Sequence, residues 1–568
     1  MLRRISLACV MAGSLLLAGC GQNSADAPLA HVPADTPFLF ANLDTIDDAT
    51  LDAALASSNA SLAQQRIDLR QFAEELRRDG EAESLANVLD ALAEELAGKS
   101  DYQQVAEQIG VDLGGQNALY GLGLSPVLRL SINDAERYQA FLQRLADAAG
   151  LPLETRTQGE LEYRQARLGE APLQLLSTVH DGQAVLAVAP TELDDDALQQ
   201  VLGTSLPDSS VQDTQRLSEL ADAKDYLPYG LGYVDTTRLA TLLTGSQDPM
   251  IQAFRAFAEQ TQGQAPEPVS QSCREDATRL ASRMPRLSAG YTTLDAARTE
   301  QRFDVSLAED ITAPLASLTS TLPGLGNDSL ESPFDLAIAL PMNDLRDLLT
   351  QQIQHVRTAP FSCSALAELN NDLDELGRQA NMLAMPPFGS LRGMRLVIDE
   401  LTMPEHSDQP AIKGALLVAS SDPNGLMAIG QSMLPGLATL SLSNDGEPQA
   451  LPPQLTAMLG DAPAWLAMTD KALGVATGEG EQTTLKSLLQ EETGEAGELM
   501  HVKLSGDMYA KWLQLADAFG NLAGNDAAAL EEQLDAMQNQ FERIDNVVIR
   551  MRMEDDGLVI NNRIDWQQ

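Results

Sequence analysis

Val185–Leu202 reads VLAVAPTELDDDALQQVL, and the pattern recurs at Ala472–Leu489 as ALGVATGEGEQTTLKSLL. Six of the eighteen positions match without a gap, 287 residues apart. In each stretch the small apolar residues suit a strand, the polar residues suit a turn, and leucines four residues apart suit one face of a helix. A further strand precedes each stretch across a short polar turn, which is typical of a β-hairpin. The sequence therefore predicts the same hairpin and helix twice.

The match also predicts which side chains are counterparts in the two cores. It places Leu186 on Leu473 and Leu198 on Leu485. A strand and the helix that follows it dock with fixed faces, so the members of each pair should pack alike.

Largely apolar strands that lead into helices recur elsewhere in the chain. The helices are predicted to begin at Asp235, Asn343 and Asp507, because Asp and Asn side chains accept hydrogen bonds from the first backbone N–H groups of a helix. Residues 546–564 predict a terminal hairpin, with its turn at Asp555–Gly557.

A duplication is the economical interpretation of these repeats. Residues 37–320 would form one half and residues 333–568 the other, joined by a Pro- and Gly-containing linker over 321–332. We expect an α+β fold in which each half has antiparallel strands covered on one face by helices, with strand–helices–hairpin units repeated inside it. The alternative is that chains of this class share composition without shared ancestry.

The first residues are typical of an export signal. Arg3 and Arg4 precede an apolar run, Ile5–Leu17, that is shorter than the roughly 20 residues needed to span a bilayer. The run ends in Leu17-Ala18-Gly19-Cys20, which resembles the lipobox of bacterial lipoproteins. The alternative is an ordinary secretory signal with a cysteine placed there by chance.

The lipoprotein resemblance implies a signal peptide over residues 1–19 and a diacylglycerol and an acyl chain, such as palmitate, on Cys20. Several buried acyl chains make such an anchor stable, at about 0.8 kcal/mol per CH₂. In that family an Asp after the cysteine retains the protein on the inner membrane. Gly21 therefore implies the outer membrane of a Gram-negative cell, facing the periplasm. We expect residues 20–36 to form a lipidated tether that is flexible from residue 21 to about residue 32.

The opening of the mature domain, Pro33-Ala34-Asp35-Thr36-Pro37-Phe38 before a strand, resembles a family of uncharacterised bacterial envelope proteins with a Pro-Ala-Asp-Thr motif. That family is classed as a domain of unknown function, so the resemblance implies an envelope location and no activity.

Composition excludes some classes of function. The formal net charge is −45, with 82 acidic residues spread along 568 positions. Such a field repels nucleic acid, so we expect no nucleic-acid partner. Hydrophobic residues make up 44% of the chain, enough to build packed cores, and more than one domain is expected at this length.

The cysteines predict one disulfide. Cys9 leaves with the signal and Cys20 takes lipid, so Cys273 and Cys363 remain as a pair in an oxidising compartment. Two buried free thiols are the alternative.

The sequence contains no complete motif for catalysis or metal binding among those that it approaches. Gly123–Val127 lacks the second glycine of a nucleophile elbow, and Ala97–Ser100 lacks the upstream glycine of a phosphate loop. No two histidines have the spacing of a zinc-protease helix; they are His31, His180, His355, His406 and His501. We therefore expect no catalytic residue, metal or cofactor.

Three hypotheses for function follow. The leading one is a non-catalytic envelope protein whose surface binds a protein partner or the cell wall. The second is a carrier for a lipid or other apolar ligand, and the third is an enzyme with an unfamiliar site.

Overall fold

The computed structural model describes residues 27–78, 83–263, 267–327, 331–383, 385–386, 388–402, 411–457, 462–512 and 543–567. The predicted signal peptide, Cys20 and Gly21 lie outside the described residues. The described chain divides into two compact units, residues 27–303 and residues 304–567. Both units combine helices with antiparallel strands, so the α+β class is confirmed.

The first unit begins with a 3₁₀ helix, Pro28–His31. Its strands are β1 (Phe38–Ala41), β2 (Ala118–Leu122), β3 (Ser125–Ser131), β4 (Glu154–Gln158), β5 (Leu161–Arg167), β6 (Leu173–His180), β7 (Gln183–Pro190), β8 (Leu231–Asp235), β9 (Arg286–Leu294) and β10 (Arg298–Ser306), which runs across the boundary of the units at Phe303. Its helices are α1 (Asp48–Arg78), α2 (Glu83–Glu95), α3 (Tyr102–Ile109), α4 (Ala135–Ala149), α5 (Asp195–Leu202), α6 (Val211–Thr214), α7 (Arg216–Lys224), α8 (Thr236–Thr244), α9 (Pro249–Gln262) and α10 (Gln271–Ala281).

The strands of the first unit pair antiparallel in the order β4–β5–β6–β7–β3–β2–β1–β8–β9. Helices cover both faces of this sheet, which corrects the expectation of one covered face. Leu130 of β3 packs in a core cluster with Leu55 of α1. Val127, three residues earlier on the same strand, packs in another cluster with Leu202 of α5. Side chains that point to opposite faces of a strand thus meet different helices.

The second unit continues after β10. Its strands are β11 (Phe334–Ala339), β12 (Leu391–Thr402), β13 (Ala411–Ser420), β14 (Gln449–Ala450), β15 (Ala464–Met468), β16 (Ala472–Thr477), β17 (Glu498–Ser505), β18 (Ile544–Glu554) and β19 (Gly557–Trp566). Its helices are α11 (Glu309–Ala316), α12 (Met342–Thr358), α13 (Glu368–Leu383), α14 (Pro423–Met433), α15 (Pro453–Thr456) and α16 (Glu481–Gln490), with 3₁₀ helices at Phe388–Ser390 and Pro435–Thr439 and a further helix from residue 506.

The strands of the second unit pair antiparallel in the order β14–β15–β16–β13–β12–β11–β17–β18–β19. Leu417 of β13 packs with Leu485 of α16 on one face. On the other face Ile398 of β12 packs with Met508, in the helix from residue 506. Both faces of this sheet are therefore covered as well.

The repeated hairpins form where the sequence predicts them, but the gap-free alignment is wrong by two residues in the strand. The turns are Asp181-Gly182 and Asp470-Lys471. Leu186 follows its turn by four residues, as Val475 does, whereas Leu473 follows its turn by two. The second hairpin has two fewer residues between its turn and its helix leucine, so an alignment without a gap cannot fit both elements.

The predicted helix starts are confirmed at one position and wrong at two. Asp235 accepts a hydrogen bond from the backbone N–H of Arg238 at 2.9 Å and caps α8. Asn343 lies inside α12, which begins one residue earlier. Asp507 lies inside the last described helix, where Ser505 Oγ instead accepts from the N–H of Met508 at 3.2 Å.

Candidate functional site

A short segment docks on the first unit ahead of its first strand, and we call residues 31–36 the first strap. Val32 of this segment is completely buried. Pro33 forms an isolated antiparallel bridge with Ser210. The N–H of Ala34 donates to the carbonyl of the residue before Ser210 at 2.9 Å. Backbone bonds and an apolar anchor therefore fix the first strap to the unit.

The prediction of a flexible tether from residue 21 to about residue 32 is wrong for its second part. Ala27 and Ala30 are buried, and a 3₁₀ helix begins at Pro28. The polar and Pro-rich composition that suggested flexibility conceals small apolar side chains that pack. The packed chain thus begins no later than Ala27.

A second segment docks in the same manner on the second unit, and we call residues 321–327 the second strap. Leu322 is completely buried. Pro323 forms an isolated antiparallel bridge with Thr493. The N–H of Gly324 donates to the carbonyl of the residue before Thr493 at 2.8 Å.

The linker predicted over residues 321–332 is therefore wrong for its first part. Leu322 and Leu325 belong to the core cluster that also contains Leu417 and Leu485. Pro and Gly in this segment serve a docked conformation, since Gly324 has a φ of +79° that L side chains rarely adopt.

Three charged or ionisable side chains meet inside the second unit, and we call Asp335, Arg395 and His501 the ionic centre. They lie on the adjacent strands β11, β12 and β17, where Ala337 pairs with Arg395 on one side and with His501 on the other. Arg395 donates from Nε and Nη2 to the two oxygens of Asp335 at 3.0 and 2.7 Å. His501 Nε2 lies 3.1 Å from Asp335 Oδ1. All three residues are buried.

The second strap binds directly to the ionic centre. Arg395 Nη1 donates to the carbonyl of Pro323 at 3.1 Å. The N–H of Gly326 donates to His501 Nδ1 at 3.3 Å. Because Nδ1 accepts this bond, the imidazole proton lies on Nε2, which donates to Asp335.

A partly buried carboxylate completes the contact between the strap and the centre. Glu491 Oε2 accepts from Arg395 Nη1 at 2.7 Å and from Asn327 Nδ2 at 2.7 Å. The guanidinium of Arg395 thus donates to two carboxylates, those of Asp335 and Glu491, and to the carbonyl of Pro323 in the second strap. Charge-assisted bonds of this kind are the stronger class of protein hydrogen bond.

Burial works against the charged form of Asp335, but the hydrogen bonds from His501 and Arg395 outweigh it and hold its pKa below the usual value. A carboxylate that orients an imidazole is also a component of hydrolytic triads. Here, however, the three side chains are buried and the second strap lies against them, so a substrate could not reach the imidazole of His501 in this conformation. The geometry serves to bind the strap.

The first unit has a different buried polar group near its strap. Arg129 Nε donates to the hydroxyl of Tyr120 at 3.2 Å, and its guanidinium packs against the backbone of Gly203. Burial, together with the charges of Arg129 and His180, lowers the pKa of His31 to about 4. His31 is therefore neutral at pH 7, which suits its place next to the completely buried Val32.

One cavity adjoins the first strap, and another adjoins the 3₁₀ helix that precedes the strap. One, of about 490 Å³, is lined in part by Asp35, Ser125 and Val201. The other, of about 410 Å³, is lined in part by Leu29 and Asn42. Both volumes lie in the range of small-molecule pockets, about 300–1,000 Å³.

The two cysteines predicted to pair are each disulfide-bonded. Cys273 lies in α10 of the first unit, and Cys363 lies between α12 and α13 of the second. That they are bonded to each other stays a prediction.

Over the described ranges, no group of three or more His, Cys, Asp or Glu side chains is placed to hold a metal ion. None of the helices in the described part of the chain has both the length and the apolar character needed to cross a membrane.

Comparison of the chain with models of protein families, with curated proteins and with solved structures gives no match. The resemblances suggested by Leu17–Cys20 and Pro33–Phe38 therefore stay hypotheses.

The search for motifs missed the ionic centre because its members are separated by up to 166 residues. A signal was nevertheless present in the strands. Arg395 interrupts the otherwise apolar stretch GMRLVI, and His501 interrupts the shorter apolar stretch LMHV. A charged or ionisable residue on the inward face of a predicted strand is seldom buried without a partner, so the partners were worth seeking together.

Proposed function

We propose that this chain is a lipid-anchored, non-catalytic protein of the cell envelope, which presents a binding surface close to a membrane. One observation carries the proposal: the chain is packed from Ala27 onward, so Gly21–Asp26 alone separate it from Cys20. Six extended residues span about 20 Å. Lipid on Cys20 would thus hold the first unit next to the bilayer.

The proposed location is the outer membrane, on the periplasmic side, with Gly21 as the sorting residue. The membrane is then the first partner, reached through lipid on Cys20. The net charge of −45 opposes direct contact with anionic head groups, so attachment would depend on the acyl chains.

We further propose that the two units are copies of one ancestral domain. In support, β6–β7–β3–β2–β1–β8–β9 pair in the same sequence of neighbours as β15–β16–β13–β12–β11–β17–β18. Non-consecutive strands occupy equivalent places in both orders, which shared composition does not explain.

The straps support the same proposal. In each strap a completely buried aliphatic residue, Val32 or Leu322, precedes a proline. Each proline forms a β-bridge with the loop that follows a helix. The strand–helix junctions at Asp235 and Ser505 also agree, because both side chains accept from the N–H three residues later.

A surface for a protein partner is proposed on the helices between β8 and β9. Helix α8 has no buried side chain, and Leu243 on it is apolar and 55% exposed. Phe254 on α9 is 44% exposed. Exposed apolar side chains mark interaction sites where they form a continuous patch, and the proposal is that Leu243 and Phe254 contribute to one.

The alternative function, a carrier for a lipid or other apolar ligand, is favoured by the cavity of about 490 Å³, whose lining includes Leu122, Leu193 and Val201. Native mass spectrometry of protein purified from membranes without detergent exchange would detect such a ligand.

The anchor is tested by Cys20→Ala in the full chain. Labelling with an alkyne-tagged palmitate should mark the wild-type protein and leave the variant unlabelled and in uncleaved or soluble form. Equal labelling of the two proteins would overturn the proposal, and a wild-type protein that takes no label would do the same.

The surface is tested by affinity capture from envelope fractions with wild-type protein and with Phe254→Glu. A protein that is captured by the wild type and lost from the variant supports the surface. Gln260→Glu, on the same helix, is the matched control for added charge. Capture unaffected by Phe254→Glu would show that this face does not bind.

A further inference from the structure

The two units differ at the positions of the ionic centre. In the second unit, Ala337 pairs with its arginine and its histidine. In the first unit the corresponding alanine, Ala41, pairs with Ala118 and Leu231, and Leu39 precedes it by two residues, where the second unit has its aspartate. Leu39, Ala118 and Leu231, which occupy the positions of the ionic centre in the first unit, are completely buried.

The first unit thus folds with an apolar trio where the second has charges. Replacing a buried ionic group by packed apolar residues is often neutral or stabilising, because desolvation offsets the attraction between the charges. The fold alone therefore does not explain Asp335, Arg395 and His501. Their direct partner in the structure is the second strap.

The straps differ at one position that faces this centre. Gly324 in the second strap makes the same backbone bond as Ala34 in the first. A Cβ on Gly324 would lie 1.8 Å from Arg395 Nη1 and 2.2 Å from Glu491 Oε2. Ala34 itself does not have a positive φ, so in the backbone conformation that Gly324 adopts, with φ of +79°, its methyl group would be strained and would also collide with the guanidinium.

We propose that the ionic centre is a recognition site for one peptide segment, the second strap, and that it excludes the first strap from the second unit. Arg395 and His501 bind the backbone of the correct segment, while the space that Arg395 fills admits only glycine at position 324. Specificity of this kind needs both an attractive and a repulsive element, and both are present. The inference rests on the matching strand pairings of the two units and not on lipidation.

Hydrogen exchange of the full chain tests the recognition site. Gly324→Ala should raise the exchange of amides in residues 322–327 by about tenfold or more, because the docked strap is destabilised. Amides of residues 32–36 in the same molecule should keep their wild-type exchange. Gly159→Ala is the matched control, since its φ of +62° is also left-handed but a Cβ there meets nothing within 4 Å.

The clash between the added methyl group and Arg395 is isolated by repeating Gly324→Ala in a chain whose centre is made apolar. That chain carries Asp335→Leu, Arg395→Ala and His501→Leu. There the guanidinium is gone, and the carboxylate of Glu491, at the end of a flexible side chain that Arg395 no longer holds, can turn away from the added methyl group. The methyl group should therefore raise exchange of the second strap no more than Gly159→Ala raises exchange of its own turn. An equal increase in both backgrounds would overturn the proposal. If the triple variant does not fold, Arg395→Ala with Gly324→Ala provides the same comparison.

Selectivity is tested by grafting. Residues 321–324 (TLPG) are replaced by HVPA, the sequence of residues 31–34, so that the buried Leu325 is kept. The graft should be unprotected from exchange beside the native ionic centre and protected beside the apolar one. Equal protection in the two chains would show that the centre does not discriminate between the straps.

Discussion

Arg395 Nη2 donates to Asp335 Oδ2 across 2.7 Å, and the two side chains keep only 4% and 2% of their accessible surface. A pair as buried as this contributes little net stability, because the loss of hydration offsets the attraction between the charges. Removing one partner is different, since the other charge stays buried without compensation. The pair therefore predicts a large asymmetry between single and combined substitutions.

Arg395→Ala should lower the free energy of unfolding by about 3–5 kcal/mol, since Asp335 and Glu491 lose their shared donor. The combined change of Asp335 to Leu, Arg395 to Ala and His501 to Leu should cost less than the single one. Urea unfolding followed by circular dichroism measures both. Arg378→Ala, which breaks the exposed pair with Glu375, should leave the denaturant midpoint almost unchanged. A single variant as stable as this control would contradict the prediction.

His31 predicts a loss of stability in mild acid. Its pKa is about 4 in the folded protein, against 6.5 for an ordinary histidine. Between these values the unfolded chain binds a proton that the folded chain does not, so stability falls as the pH drops from 6.5 toward 4. One such group contributes a slope of at most about 1.4 kcal/mol per pH unit. Above pH 6.5 both states are neutral and its contribution is constant.

His31→Gln should flatten that part of the pH profile, as measured by urea unfolding at pH 7.0, 6.0 and 5.0. His355→Gln is the control, because that side chain is 52% exposed. Exchange of amides 32–36 should show the same dependence on pH. If wild type and His31→Gln lose stability in parallel, another group is responsible for the acid sensitivity.

The sequence predicts that Leu198 and Leu485 pack alike, and their burial refines that expectation. Leu485 is completely buried in its cluster, whereas Leu198 is half-buried at the edge of its own. Leu485→Asp should therefore lower the free energy of unfolding by several kcal/mol, and Leu198→Asp by less. Denaturant midpoints of the two variants test the order. Leu243→Asp, at an exposed position, is the control and should change stability little. The reverse order for the two leucines would contradict the packing.

Local physics explains which parts of the fold could be predicted. Turn residues and alternating apolar residues locate the two hairpins, and an Asp at the right offset locates the start of α8, because these signals act within a few residues. The predicted start failed at Asp507 because Ser505 caps that helix instead. It failed at Asn343 because the side-chain amide of Asn343 donates to the carbonyl of Gly389, and α12 begins at Met342 without a side-chain cap. The register at Leu473 was predicted wrongly for another reason, because spacing along the chain cannot show where a short deletion lies.

The straps and the ionic centre could not be predicted because they depend on contacts between distant residues. Pro and Gly in residues 321–327 are equally typical of a linker and of a docked segment. What decides between them is the burial of Leu322 and the bond from Arg395, 72 residues away from its acceptor on Pro323. His501 lacks the spacing of a metal ligand, and no local pattern in the sequence pairs it with Asp335.

The disulfide gives the last prediction. Cys273 and Cys363 are each disulfide-bonded, and a bond between the two would close a loop of about 90 residues, worth about 4–5 kcal/mol in the chain-entropy model. Mass spectrometry of an unreduced digest should find the peptides of Cys273 and Cys363 joined. Digestion of the Cys20→Ala variant in parallel removes the remaining mature cysteine and is the control for exchange with it. Cys273→Ser with Cys363→Ser should lower the denaturant midpoint as much as reduction lowers that of the wild type. Alkylation of both thiols in protein taken directly from the periplasm, without reductant, would contradict the pairing.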